Sequence, residues 1–308
     1  MPAPPDSSPP VTAGRLTAGS NAALVALFAG AVSIAAAPIL VRLADVAPVA
    51  SAFWRVALAV PVLWAWEAVR TRRTRAGVGP ADGPVPVLGL VLAGVFFAAD
   101  LALWHLSILW TTVANATLLA NVAPVFVVLA GFLFFSQRFS GRFLAGLVLA
   151  MVGVAALIGA SAEVGGERLV GDALGLATAV CYASYIVAVA RVRARAATAT
   201  VMLWSSLVTA VVLLPLALLA PGPFWPSGLD GWLVLAALAL VSQVGGQGLI
   251  AYALAHLPAA FGSVSLLAQP VIAAGLAWLL FAEALGPLEL AGAGLVLAGI
   301  AMARRGTR

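Results

Sequence analysis

Unbroken apolar runs of roughly 20 residues recur along almost the whole chain, and about 20 residues is the length a helix needs to cross a ~30 Å hydrocarbon core. Within lipid every backbone amide must find its partner inside the protein, which leaves helices or a closed barrel. Barrel strands alternate apolar and polar residues. These runs do not, so the fold class read from them is all-α integral membrane. Composition agrees: 63% of the 308 residues are hydrophobic and 9% charged, against about 25% charged in a soluble domain.

Turn residues divide the runs into ten expected transmembrane helices, near 22 to 42, 48 to 69, 85 to 106, 111 to 136, 141 to 160, 170 to 191, 198 to 220, 230 to 255, 260 to 282 and 286 to 304. Residues 1 to 19, rich in Pro, Ser and Ala, read as a disordered cytoplasmic tail with no evident cleavage site. All sixteen basic residues are Arg. With the amino terminus inside, thirteen fall on cytoplasmic segments: Arg15, Arg70, Arg72, Arg73, Arg75, Arg138, Arg142, Arg191, Arg193, Arg195, Arg304, Arg305 and Arg308. The positive-inside rule then predicts both termini in the cytoplasm of a bacterial-type inner membrane. The same placement, in short clusters between apolar runs, argues against nucleic acid as the reason for the net charge of +5.

The stretch 115 to 155 lies on 261 to 301 at a constant offset with no gap. Pro124 meets Pro270, Leu133 meets Leu279, Phe135 meets Phe281, Gln137 meets Glu283, Ala145 meets Ala291, Gly146 meets Gly292 and Gly153 meets Gly299. Each half, 22 to 160 and 170 to 304, holds five spans. Five is odd, so the second half must cross in the opposite sense, which predicts two inverted five-helix repeats with a site near the midplane between them.

The mid-membrane Pro, the acidic or amide residue at the helix end and the spaced Gly of the next helix occur as Pro124, Gln137, Gly146, Gly153 and again as Pro270, Glu283, Gly292, Gly299. This pattern, with the early SAFWRVALAV segment, resembles the EamA-type repeat of the drug/metabolite transporter superfamily, over about 22 to 304. The resemblance implies a ten-helix carrier of amino acids, other metabolites or toxic compounds, often an exporter. Gln137 departs from the Glu usual in that family.

Ionisable groups inside a span cost about 2.5 to 3.5 kcal/mol each and are functional hypotheses by default. Arg55 and Asp100 are expected at a similar depth of about 10 Å from the same side. They admit three readings: a structural ion pair between the second and third spans, a gate or site for a zwitterionic or carboxylated solute, or side chains that lie shallower and snorkel to the interface. His105, beside Trp104, reads either as an interfacial polar tip or as a proton relay with Asp100, so proton coupling is an open expectation. Trp54 and Trp104 neighbour the two charges and could stack a flat solute. The uncharged polar set is Asn115, Asn121, Tyr182, Tyr185, Gln243, Gln247 and Gln269, read either as interhelical hydrogen bonds or as cavity lining. Gln243 and Gln247, four apart amid Gly245, Gly246 and Gly248, are the strongest cavity candidates. Pro124 and Pro270 should kink or weaken their helices.

The chain shows no HExxH, no GxSxG beside a His and no glycine-rich phosphate loop. A lone Cys181 supplies neither a disulfide nor a thiolate metal site. Neither an enzyme nor a cofactor or metal protein is expected. The partners expected are a small-molecule solute and the bilayer, and a non-transporting scaffold or sensor is the competing reading.

Overall fold

A computed structural model describes residues 19–77, 85–159, 168–281 and 285–307. The expected tail up to residue 18 with its Arg15, and also Glu283 and Arg308, lie outside the described residues. Ten helical spans are long and apolar enough to cross a membrane. Five match single helices: α3 (Pro48–Arg75), α4 (Val87–Trp110), α7 (Gly141–Gly159), α8 (Leu169–Arg193) and α9 (Thr198–Leu219). A sixth is α14 (Pro287–Gly306).

Four of the ten spans are interrupted. The first divides into α1 (Gly19–Ala35) and α2 (Ala37–Leu43), the fourth into α5 (Val113–Ala120) and α6 (Ala123–Phe135), and the ninth into α12 (Ala259–Leu266) and α13 (Ala268–Phe281). The eighth runs as α10 (Leu229–Ala237), a π-helical segment (Leu238–Gln247) and α11 (Gly248–Ala253). Pro124 and Pro270 fall in the first turns of α6 and α13, where a residue without an N–H is tolerated. Each interruption lies two or three residues before its proline, in the turn where the missing N–H leaves a carbonyl without its helical donor.

Cross-half packing dominates the bundle. The third span, α4, packs on α8 and α9, and the first span packs on the eighth and ninth. The second, α3, lies against α9 and the π segment; the fourth against α8 and α12; the fifth, α7, against α14. Number the spans one to ten and exchange n with n+5, and this set of contacts maps onto itself.

Small side chains let the backbones approach, as expected between helices in lipid. The α7–α14 crossing shows it best. A Cβ on Gly146 would lie 2.7 Å from Gly299 O, and one on Gly153 would lie 2.7 Å from Gly292 O. The reciprocal positions on Gly292 and Gly299 would meet Gly153 O and Gly146 O at 2.7 and 2.6 Å. Rising numbers on α7 meet falling numbers on α14, so the two helices run antiparallel. The four glycines aligned by the sequence offset are thus the ones that interlock.

The arginine clusters share one end of the bundle. The opposite, arginine-poor end carries the α2–α3 and α9–α10 connections and the end of α4. Trp64, Trp110, Phe134, Val211 and Leu219 are among many large side chains left exposed on the periphery, the face a lipid-embedded bundle presents.

Candidate functional site

A polar core forms where the second, third, sixth, seventh and eighth spans meet. Arg55 on α3 is 8% exposed. Its Nε donates to Gln243 Oε1 at 3.1 Å, and Gln243 Nε2 donates to Ser206 Oγ at 3.1 Å. The Arg55 guanidinium also stands 5.7 Å from the centroid of the Phe97 ring, within cation–π range. Phe97 stacks on Tyr185 at 4.7 Å, and the Tyr185 hydroxyl donates to Gln247 Oε1 at 3.4 Å. Gln243 and Gln247 are both buried and both belong to the π-helical segment, a rare helix form that concentrates at functional sites.

Asp100 does not pair directly with Arg55. Among the described residues the ion pair within 4.0 Å is Arg70–Glu67, although each of Arg55 and Asp100 lies within coulombic range of the other. α4 continues to Trp110, beyond the expected end of that span at 106, before Thr111 takes an extended backbone. Asp100 is then ten residues from that end, about 15 Å, while Arg55 is seven residues from Pro48, about 10 Å. Asp100 is half-buried on a helix face with buried Ala93, Phe97 and Ser107 and half-buried Phe96, Leu103 and Trp104, and it lies near enough to Arg55 and Tyr182 to act on both electrostatically. Among the described residues its carboxylate accepts no hydrogen bond, and Nη1 and Nη2 of Arg55 meet no acceptor. None of these atoms is sealed off.

A second group collects at the two helix breaks. Asn121, Pro124, Tyr182, Ile186, Ser263 and Gln269 line one cleft. Gln269 Nε2 is enclosed there without a partner, and the Tyr182 hydroxyl faces Gln269 and Gln247. The cleft holds about 20 Å³, enough for a water and too little for a metabolite.

Three expected site residues, Trp54, Asn115 and His105, stand elsewhere. Trp54 points away from Arg55 and packs 5.4 Å from Phe224 and 5.0 Å from both Trp225 and Trp232, at the arginine-poor end. Asn115 donates to Asp172 Oδ1 at 3.2 Å, beside a 2.8 Å bond from Thr111, and so ties α5 to the start of α8. His105 is buried with Nδ1 2.6 Å from Leu101 O, which makes Nδ1 the protonated nitrogen. Its Nε2 is enclosed without a partner. Five residues turn a helix by about 140° beyond one revolution, so His105 and Asp100 face different sides and form no direct relay. Trp104 meets His105 edge-on at 5.0 Å.

Phe97 and Ser206 complete the core without having been singled out in the sequence. Ser206, in the Ser-Ser pair in the middle of an apolar run, was the legible signal; Phe97 has none, because an aromatic in a span is usually packing.

A ten-span helical bundle with interrupted helices around a polar centre is a multi-pass membrane protein with the architecture of a transporter. The model of the EamA-like transporter family matches twice, over residues 21–159 and 169–305. The chain belongs to that family. It is 29% identical over 236 residues to the pseudopaline exporter CntI of Pseudomonas aeruginosa, covering 75% of this chain and 79% of that protein. It is 29% identical over 214 residues to the threonine/homoserine exporter RhtA of Escherichia coli, covering 68% and 69%. A solved crystal structure superposes with a TM-score of 0.76 at 22% identity, over 94% of this chain and 99% of that one, and so shares its fold.

Proposed function

We propose that this protein exports a small zwitterionic or carboxylated metabolite, an amino acid or a related solute, by alternating access across a bacterial-type inner membrane. The observation that carries this reading is the arrangement of Arg55 and Asp100. They are opposite charges within range of each other and not in contact, and both retain unsatisfied polar atoms. A solute carboxylate fits the fork of Nη1 and Nη2 on Arg55, and its ammonium fits Asp100. The Phe97–Tyr185 stack and Gln243 and Gln247 offer an uncharged wall beside them.

The relatives named for threonine, homoserine and pseudopaline support export and a polar passenger. The self-mapping helix contacts and the antiparallel α7–α14 crossing support an inverted repeat, whose halves rock about a central site. The arginine clusters support cytoplasmic termini. Proton coupling through Asp100 remains part of the proposal, without His105 as a direct relay.

The test is a metabolite panel measured inside and outside cells with and without the gene. A carboxylated solute should accumulate in the cells that lack it, and Asp100→Asn and Arg55→Gln should each fail to restore its export at normal expression. Full restoration by both variants contradicts the assignment.

A further inference from the structure

At the arginine-poor end two connections meet, one from each half of the chain. Asp45, in the α2–α3 connection, accepts hydrogen bonds at Oδ2 from the Ser227 backbone N–H at 2.8 Å and from the Ser227 hydroxyl. Ser227 immediately precedes Gly228, the N-cap of α10, so the carboxylate meets the positive end of a helix that belongs to the other half. Any side chain on Gly231, in the first turn of α10, would collide with that carboxylate. Two residues further along, the Ala47 N–H donates to Pro223 O at 2.7 Å. Trp54 Nε1 donates to Phe224 O at 2.8 Å, and its ring is enclosed by Phe224, Trp225 and Trp232. Val46, Ala47, Val49 and Ala50 are buried beneath this contact with Ala217 and Leu235.

We propose that this contact is the closed state of a gate at the arginine-poor end, with the Asp45 carboxylate as its latch, and that protonating Asp45 releases it. The aromatic rings and backbone bonds supply a neutral surface that can re-form repeatedly. The single ionised group joining the two connections is Asp45, and it lies exposed to the adjoining solution. Its hydrogen bonds from Ser227 hold its carboxyl below the ordinary carboxylate range. The charged form therefore belongs to the latched state. The latch is complete at neutral pH and is lost as the pH of that compartment falls through the depressed value. The other charged groups near it are Arg42 on α2 and Asp230 on α10, both exposed; α3 offers none before Arg55, and residues 220–228 none at all. The Ser227 hydrogen bonds, not these charges, set the preference.

The gate's role in export rests on the transport reading, but its opening can be measured without any solute. Ala47 is 4% exposed beneath the latch. In purified full-length protein carrying Cys181→Ala and Ala47→Cys, the rate of reaction with a water-soluble thiol reagent reports opening. Each rate is divided by that of Leu169→Cys, a position 69% exposed at the same end, which removes the pH dependence of thiol chemistry. Asp45→Asn should raise the normalised rate by about tenfold, the effect of losing a charge-assisted hydrogen bond. Acidification should raise it in the parent and leave it flat in Asp45→Asn. Ser227→Ala, which keeps the backbone donor, should fall between. A rate unchanged by Asp45→Asn, or an acid response that survives in Asp45→Asn, overturns the proposal. A rate that does not rise on acidification in the parent, where Asp45 is unaltered, overturns it equally, so a poorly folded variant does not remove the test.

Discussion

Arg55 on the second span and Gln243 on the eighth are joined across the bundle by a 3.1 Å hydrogen bond, and Gln243 spends its other end on Ser206 of the seventh. With oxygen committed to the guanidinium and nitrogen to the hydroxyl, the amide has one orientation. It holds Arg55 by Nε and leaves Nη1 and Nη2 directed elsewhere. The buried charge is thereby anchored without being consumed.

Replacing this anchor should separate folding from transport. Gln243→Leu leaves a buried guanidinium short of its partner and should cost about 1.5–3 kcal/mol, seen as a lower unfolding temperature in detergent. Gln243→Glu keeps an acceptor and adds a countercharge, so it should fold, and it should abolish export by occupying Arg55 with a permanent ion pair.

The interlocked glycines of α7 and α14 make a second prediction. A methyl on Gly153 would stand 2.5 Å from Val296 N and 2.7 Å from Gly292 O, so Gly153→Ala must push two backbones apart and should cost about 1–3 kcal/mol. Gly294, on the same helix as Gly292, has nothing within 4 Å of its would-be Cβ. Gly294→Ala should be neutral or stabilising by up to about 1 kcal/mol. Thermal unfolding of the two variants side by side checks the contrast.

Asn115 supplies a third. Its bond to Asp172 joins α5 to α8 at the arginine-poor end, apart from the central cleft. Asn115→Ala and Asp172→Asn should lower thermal stability while leaving flux per folded molecule close to that of the parent. Asn121→Ala, at the cleft, should reduce flux.

The helix count was legible because span length and composition are imposed by the bilayer itself. The constant offset made Gly146, Gly153, Gly292 and Gly299 visible as equivalent, and that equivalence is what their packing uses. The breaks were half-legible. Pro124 and Pro270 marked the places, but a missing N–H does not say how far a helix comes apart there, which the surrounding helices decide. The Arg55–Gln243 bond was beyond reach, since two residues 188 positions apart carry no local pattern linking them. Trp54 was misplaced for a related reason. Adjacency to Arg55 in sequence puts two helical side chains about 100° apart, and here that rotation sends one to the core and the other to the gate.

The central claim is that Arg55 and Asp100 together receive a carboxylated, amine-bearing solute. Its most direct test is efflux of a radiolabelled zwitterionic amino acid from proteoliposomes, with the solute identified by the metabolite panel and incorporation matched between variants. The parent protein should release label well above protein-free vesicles, and Arg55→Gln and Asp100→Asn should each fall at least about tenfold, as expected when one charge-assisted contact is lost. Release by both variants at the parental rate would contradict the account.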